Sequence, residues 1–147
     1  MLGYWNDSNK TTEAIDAAGY MHTGDLATMD AEGFVSIVGR SKDMVIRGGE
    51  NVYPREIEEL LYAHPMVADV HVVGVPDPKY GEELCAWIRL AAGTKLAEDD
   101  VRAFCKVKLA HYKVPRYVLF VEEFPMTITG KIQKYKMREE SVRLLKL

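Results

Sequence analysis

The sequence predicts an α+β fold in which a small mixed β-sheet is covered by helices and preceded by a β-hairpin. Three observations carry this. Apolar residues crowd positions 67–75 and then alternate through Leu84, Ala86, Ile88 and Leu90, the pattern of a buried strand and its neighbour. Segments with apolar residues at helical spacing lie on both sides of that pair, one opening at Pro54 and one over 98–110. The first third offers only a short helix and a strand pair, too little to bury a core by itself.

In chain order, Asp7 or Ser8 can cap a helix through Thr11, Thr12, Glu13 and Ala14, with Gly19 expected as its stop. Strands at 26–29 and 34–38 flank Asp30-Ala31-Glu32-Gly33, whose first Asp and last Gly suit a type I turn. A polar joint, Gly39-Arg40-Ser41-Lys42, leads to a short strand over 43–47 that stops at Gly48-Gly49. Pro54 is preorganised for a first helical turn, and Glu56, Glu58 and Glu59 suit the positive end of the helix dipole. Ile57, Leu60, Leu61 and His64 form its apolar face, and Pro65 is expected to end it. The loop 76–81 joins the two central strands. The next helix turns Val101, Phe104, Cys105 and Leu109 inward, 117–121 is a further core strand, 124–132 a loop, and 135–145 a terminal helix.

Composition narrows the function classes. With 48% hydrophobic and 28% charged residues the chain reads as globular rather than disordered. Its net charge of −3 gives no global basic field for nucleic acid. No apolar run approaches the roughly 18 residues of a membrane span, and the N-terminus lacks a signal-peptide pattern. Cys85 and Cys105 are widely separated and read as packed, reduced thiols. The four histidines have no metal-ligand spacing. Trp5 and Trp87 read as packing residues, and Lys106, Lys108 and Lys113 as a solvated helix edge.

Three positions carry chemistry. Asp25 follows Thr23-Gly24 at a strand start, where a carboxylate can accept both hydroxyls of a ribose diol; a surface turn explains the same triplet. Arg40, at a strand end, suits ribose or phosphate oxygens, or simply solvent. Lys131 follows Thr127, Thr129 and Gly130 in a loop that can present a cation to a phosphate or carboxylate, or form a charged hairpin. It is not a P-loop, because Pro125 and Ile132 stand where glycine and a hydroxyl residue would be needed.

The segments 20–27, 39–58 and 125–134, with Gly74-Val75-Pro76-Asp77 and His111-Tyr112-Lys113-Val114-Pro115 between them, resemble in order and spacing the signatures of the adenylate-forming acyl-CoA synthetase superfamily. The likeness covers the whole chain and is greatest to the medium-chain fatty acyl-CoA ligase type. It implies conversion of a carboxylate and ATP to acyl-AMP, then thioester formation with CoA. Asp25 and Arg40 would then hold the AMP ribose, and Lys131 would be catalytic, reaching the α-phosphate and the acyl carboxylate. Lys42, or the adjacent Asp43, would be the hinge, Gly48 and Gly49 would line the pantetheine path, and the position of Lys106, Lys108 and Lys113 leaves a role near CoA phosphates open.

The same resemblance divides the chain into the edge of an N-terminal AMP-binding domain (1–39), a hinge (40–43) and a mobile C-terminal domain (44–147). It places the phosphate-gripping loop, the acyl pocket and the magnesium-holding glutamate upstream, so Mg2+ would be bound outside this chain. The isolated chain is accordingly expected to fold from about residue 43 onward and not to catalyse. The implied partners are that N-terminal domain in cis and fatty acid, ATP and CoA as substrates. The implied compartment is intracellular, cytoplasm or mitochondrial matrix. A non-catalytic binding module and a sibling adenylating enzyme that loads a carrier protein are the competing readings.

Overall fold

The computed structural model describes all of residues 1–147. It divides into two compact units, Met1–Lys42 and Asp43–Leu147.

The first unit contains α1 (Ser8–Ala14), β1 (Asp25–Met29) and β2 (Val35–Arg40). Asp7 caps α1, its carboxylate accepting from the Lys10 amide at 3.0 Å. Gly19 is not the helix stop. The helix ends at Ala14, Ile15 is extended and bridges Met21, and Gly19 (φ +85°) serves the intervening turn held by Asp16. β1 and β2 pair antiparallel from Asp25↔Arg40 to Met29↔Val35, and Asp30 closes their turn by accepting from the amides of Glu32 and Phe34. None of these residues joins a core: every buried hydrophobic side chain lies at or beyond Val45. Trp5, read as a packing residue, is 97% exposed because this unit has no interior in which to place an indole.

The second unit comprises β3 (Val45–Arg47), β4 (Glu50–Val52), α2 (Pro54–Tyr62), β5 (Val67–Asp77), β6 (Gly81–Leu90), α3 (Glu98–Lys108), β7 (Tyr117–Phe120) and α4 (Lys134–Leu145). Strand β6 is the hub. It pairs antiparallel with β5 from Val67↔Leu90 to Asp77↔Gly81, parallel with β7 over Cys85–Ile88, and with β3 at Arg47↔Gly81. Side-chain alternation on the central strands then sorts two cores. Val70, Val72, Leu84, Ala86 and Ile88 pack with Ile57 and Leu61 of α2 and Val101 and Cys105 of α3. Val73, Val75, Cys85 and Trp87 pack with Phe124 and with Met137 of α4. The Trp87 indole N–H donates to buried Ser141 at 2.8 Å, which satisfies the one polar atom that the tryptophan brings inside.

Some elements differ from the sequence reading. The pair Gly48-Gly49 is a two-residue hairpin turn, since Arg47↔Glu50 closes β3 on β4; both glycines have positive φ (+59° and +89°), as a type I′ turn requires. Helix α2 ends at Tyr62, one turn before Pro65, so His64 lies beyond it and stacks edge-on against Phe104. Lys113 is not a solvated edge: its ammonium bonds both Glu56 carboxylate oxygens, at 2.7 and 2.8 Å, and that bond pushes its pKa up. Both cysteines are buried and free, and burial raises each thiol to about 11, where it is inert.

Candidate functional site

Asp25 and Arg40 face each other across the first rung of the β1–β2 hairpin, with Arg40 Nε 3.2 Å from Asp25 Oδ1. Gly24, at φ +75°, turns the chain into this rung, and its carbonyl accepts from both the amide and the hydroxyl of Ser41 at 2.9 and 3.1 Å. The Asp25 amide is taken by the Thr23 hydroxyl. A carboxylate with free lone pairs therefore stands beside a half-exposed guanidinium on a hydrogen-bonded frame. That donor–acceptor pair matches a vicinal diol, whose hydroxyls need an acceptor while their oxygens take a donor.

Lys131 sits in a second, independent hairpin. Met126 bridges Ile132, the Thr127 amide donates to the Lys131 carbonyl at 2.8 Å, and the Lys131 amide donates to Thr127 Oγ1 at 3.0 Å. Gly130, at φ +77°, closes the turn. The backbone of Lys131 is thus fixed while its exposed side chain forms no ion pair, unlike neighbouring Lys134, which is tied to Glu58 at 2.8 Å. Directly beyond it, the Gln133 amide donates to the Pro125 carbonyl, so the loop is closed before α4 begins.

The third feature was anticipated from sequence only in Lys106, whose place left a role near phosphates open; the cleft itself was not. A cleft of about 470 Å³ opens among Arg47, Lys79, Tyr80, Arg102, Lys106 and Arg116, with Glu83 at its base. Its cations come from β3, the β5–β6 turn, α3 and the residue just before β7, so no spacing in the sequence unites them; only the fold does. Asp77 organises the turn. Its carboxylate accepts from the amides of Tyr80 (2.8 Å) and Lys79 (2.9 Å) and pairs with Arg116 (2.9 Å), and these, led by the Tyr80 amide, hold its pKa below the usual carboxylate value. Arg47 forks onto Glu83 at 2.7 and 2.8 Å and lies 4.4 Å over the Tyr80 ring. The Gly48 amide donates to the Tyr80 carbonyl at 2.9 Å, and a Cβ on Gly48 would come within 3.1 Å of that ring. The glycine hairpin and the cationic cleft therefore share a wall. No group of three or more His, Cys, Asp or Glu side chains is placed to hold a metal ion.

The model of the AMP-binding enzyme C-terminal domain matches residues 56–131, just over half of the chain. The chain belongs to the AMP-binding enzyme C-terminal domain family. Over all 147 residues it is 56% identical to a Bacillus subtilis protein named as the acyl-CoA synthetase YngI, covering 27% of that protein. It is 54% identical over its whole length to the human mitochondrial medium-chain acyl-CoA ligase ACSF2, covering 24% of it. The ATP-bound crystal structure of MatB from Rhodopseudomonas palustris superposes on 97% of this chain with a TM-score of 0.89 at 39% identity, using 28% of the MatB chain. The chain thus spans about a quarter of the length of the curated relatives it matches. Membership of this family accounts for the mixed sheet with helices on both faces, and no helix is long and apolar enough to cross a membrane.

Proposed function

We propose that this chain supplies the C-terminal part of an AMP-forming ligase that joins a medium-chain fatty acid to CoA, working with an N-terminal AMP-binding domain in cis. The observation that carries the adenylation role is Lys131, a lysine with a pinned backbone and an unpaired ammonium. Attack of a carboxylate on the α-phosphorus of ATP crowds negative charge around that atom, and a preorganised cation there lowers the barrier. Lys131 supplies that cation, reaching the α-phosphate and the acyl carboxylate, while Asp25 and Arg40 hold the ribose. Magnesium would be bound by the N-terminal domain, and no step here is assigned to it.

In the second half-reaction the CoA thiol attacks the acyl carbonyl of acyl-AMP, forming the thioester and releasing AMP. The Gly48-Gly49 turn lines the pantetheine arm, and the adjoining cations of the cleft take the phosphates at the nucleotide end of CoA. Lys79 and Lys106 form no ion pair and suit phosphate oxygens, whereas Arg47, Arg102 and Arg116 already bond carboxylates. Passage between the two half-reactions requires the C-terminal unit to turn about Lys42 or Asp43. The test is product analysis on the complete enzyme, with this chain joined to its N-terminal domain. Octanoate, ATP and CoA should yield octanoyl-CoA, AMP and pyrophosphate, and the isolated chain should yield none. ADP and phosphate as products, or acyl-CoA made by the isolated chain, would contradict the assignment.

A further inference from the structure

The Arg47–Glu83 pair is costly as a structural device. Glu83 is 1% exposed and the Arg47 side chain 13%, so both charges have left most of their water. Buried ion pairs commonly contribute less stability than apolar side chains of similar size in the same place. The benefit of this one is geometric. Strand β3 has three residues and meets β6 at a single backbone pair, Arg47↔Gly81. What holds its end is largely side-chain chemistry: the fork from Arg47 to Glu83, the guanidinium over Tyr80, and the Ile46 amide on Glu82 at 2.9 Å. The next residue in the chain is Gly48, whose amide bonds the Tyr80 carbonyl.

We propose that Glu83 is a positioning residue for thioester formation: by holding the Arg47 guanidinium on Tyr80 it fixes the Gly48-Gly49 turn and the adjoining wall of the cationic cleft. The inference rests on the CoA role given to that turn and cleft. A fork with two parallel N–H···O bonds sets the direction of the guanidinium as well as its distance. An amide at position 83 can accept only one of those bonds and leaves Arg47 free to swing.

Three variants of the complete enzyme, Glu83→Gln, Arg47→Lys and Arg116→Ala, test this, with amide hydrogen exchange measured on the chain itself. Glu83→Gln should raise the KM for CoA at least tenfold in thioester formation from supplied acyl-AMP and leave ATP–pyrophosphate exchange within twofold of the parent. Arg47→Lys keeps the charge but loses the fork and should act in the same direction; it carries the test if Glu83→Gln fails to fold. In either variant the Gly48 amide should exchange at least tenfold faster while the Val72 amide in the central sheet is unchanged. Equal losses in both half-reactions, or an unchanged KM for CoA in a folded variant, would overturn the proposal. Arg116→Ala separates the two readings. If it raises the KM for CoA and the Glu83 and Arg47 variants do not, positioning alone fails. If none of the three moves it, the assignment of CoA to this cleft fails and the proposal falls with it.

Discussion

Ser141 shows how much one buried polar residue decides. It lies on α4 with no exposed surface, takes the Trp87 indole N–H, and donates to the Met137 carbonyl at 2.7 Å. Ser141→Ala should cost about 1–3 kcal/mol, because it leaves the indole N–H unsatisfied in the core; urea unfolding of this chain measures it. His71 contributes a pH term. Burial against Phe124 lowers its pKa from the usual 6.5, outweighing the pull of Glu58 and Asp69, while Lys134 pushes the same way as burial. The unfolded chain therefore binds the proton more readily, and stability present above about 6.5 should decline as pH falls below it. His71→Gln should flatten the midpoint difference between about pH 7.5 and pH 5, and an unchanged slope would refute this. Legibility at this scale was uneven. Asp25, Arg40 and Lys131 could be proposed because their segments resemble family signatures; read alone, each suits a surface turn, solvent or a charged hairpin as well. The buried roles of Ser141 and Glu83 could not, since their partners are 54 and 36 residues distant.

The β3–β4 hairpin is the element on which turn chemistry and the proposed function meet. Both glycines are needed for positive φ, and Gly49 has open space where a Cβ would stand. Gly49→Ala should destabilise the turn by about 1–2 kcal/mol, as a left-handed conformation costs an ordinary residue. Asparagine tolerates that conformation, so Gly49→Asn should keep the melting midpoint while narrowing the proposed pantetheine path and slowing thioester formation. A variant equally stable and equally fast would leave the glycine with only a turn role. Sequence patterning found Pro54, the alternation through Leu84–Leu90 and the inward face of α3, because each is a local period. It missed β4, three residues whose pairing depends on the turn before it, and it drew the β5–β6 connection as a loop where the two strands run on to Asp77↔Gly81.

At the scale of the molecule, the two units differ in what they bury. All core side chains belong to Asp43–Leu147, whereas Met1–Lys42 leaves Trp5, Phe34, Val35 and Ile37 exposed. Removing residues 1–42 should leave the thermal midpoint of the remainder within a few degrees, as scanning calorimetry would show; loss of cooperative unfolding would contradict that division. The poverty of the first unit was legible from its length and patterning. The cationic cleft was not, because it exists only where four elements converge. The central claim is that one chain serves two chemistries with separate parts, Lys131 for adenylation and the Gly48-Gly49 turn with its cleft for thioester formation. The most direct measurement is both half-reactions in the complete enzyme bearing Lys131→Ala or Gly49→Asn. Lys131→Ala should reduce ATP–pyrophosphate exchange by a hundredfold or more, about 3 kcal/mol of transition-state stabilisation, and spare CoA attack on supplied acyl-AMP, with Gly49→Asn doing the reverse. Equal losses in both halves from each substitution would contradict it.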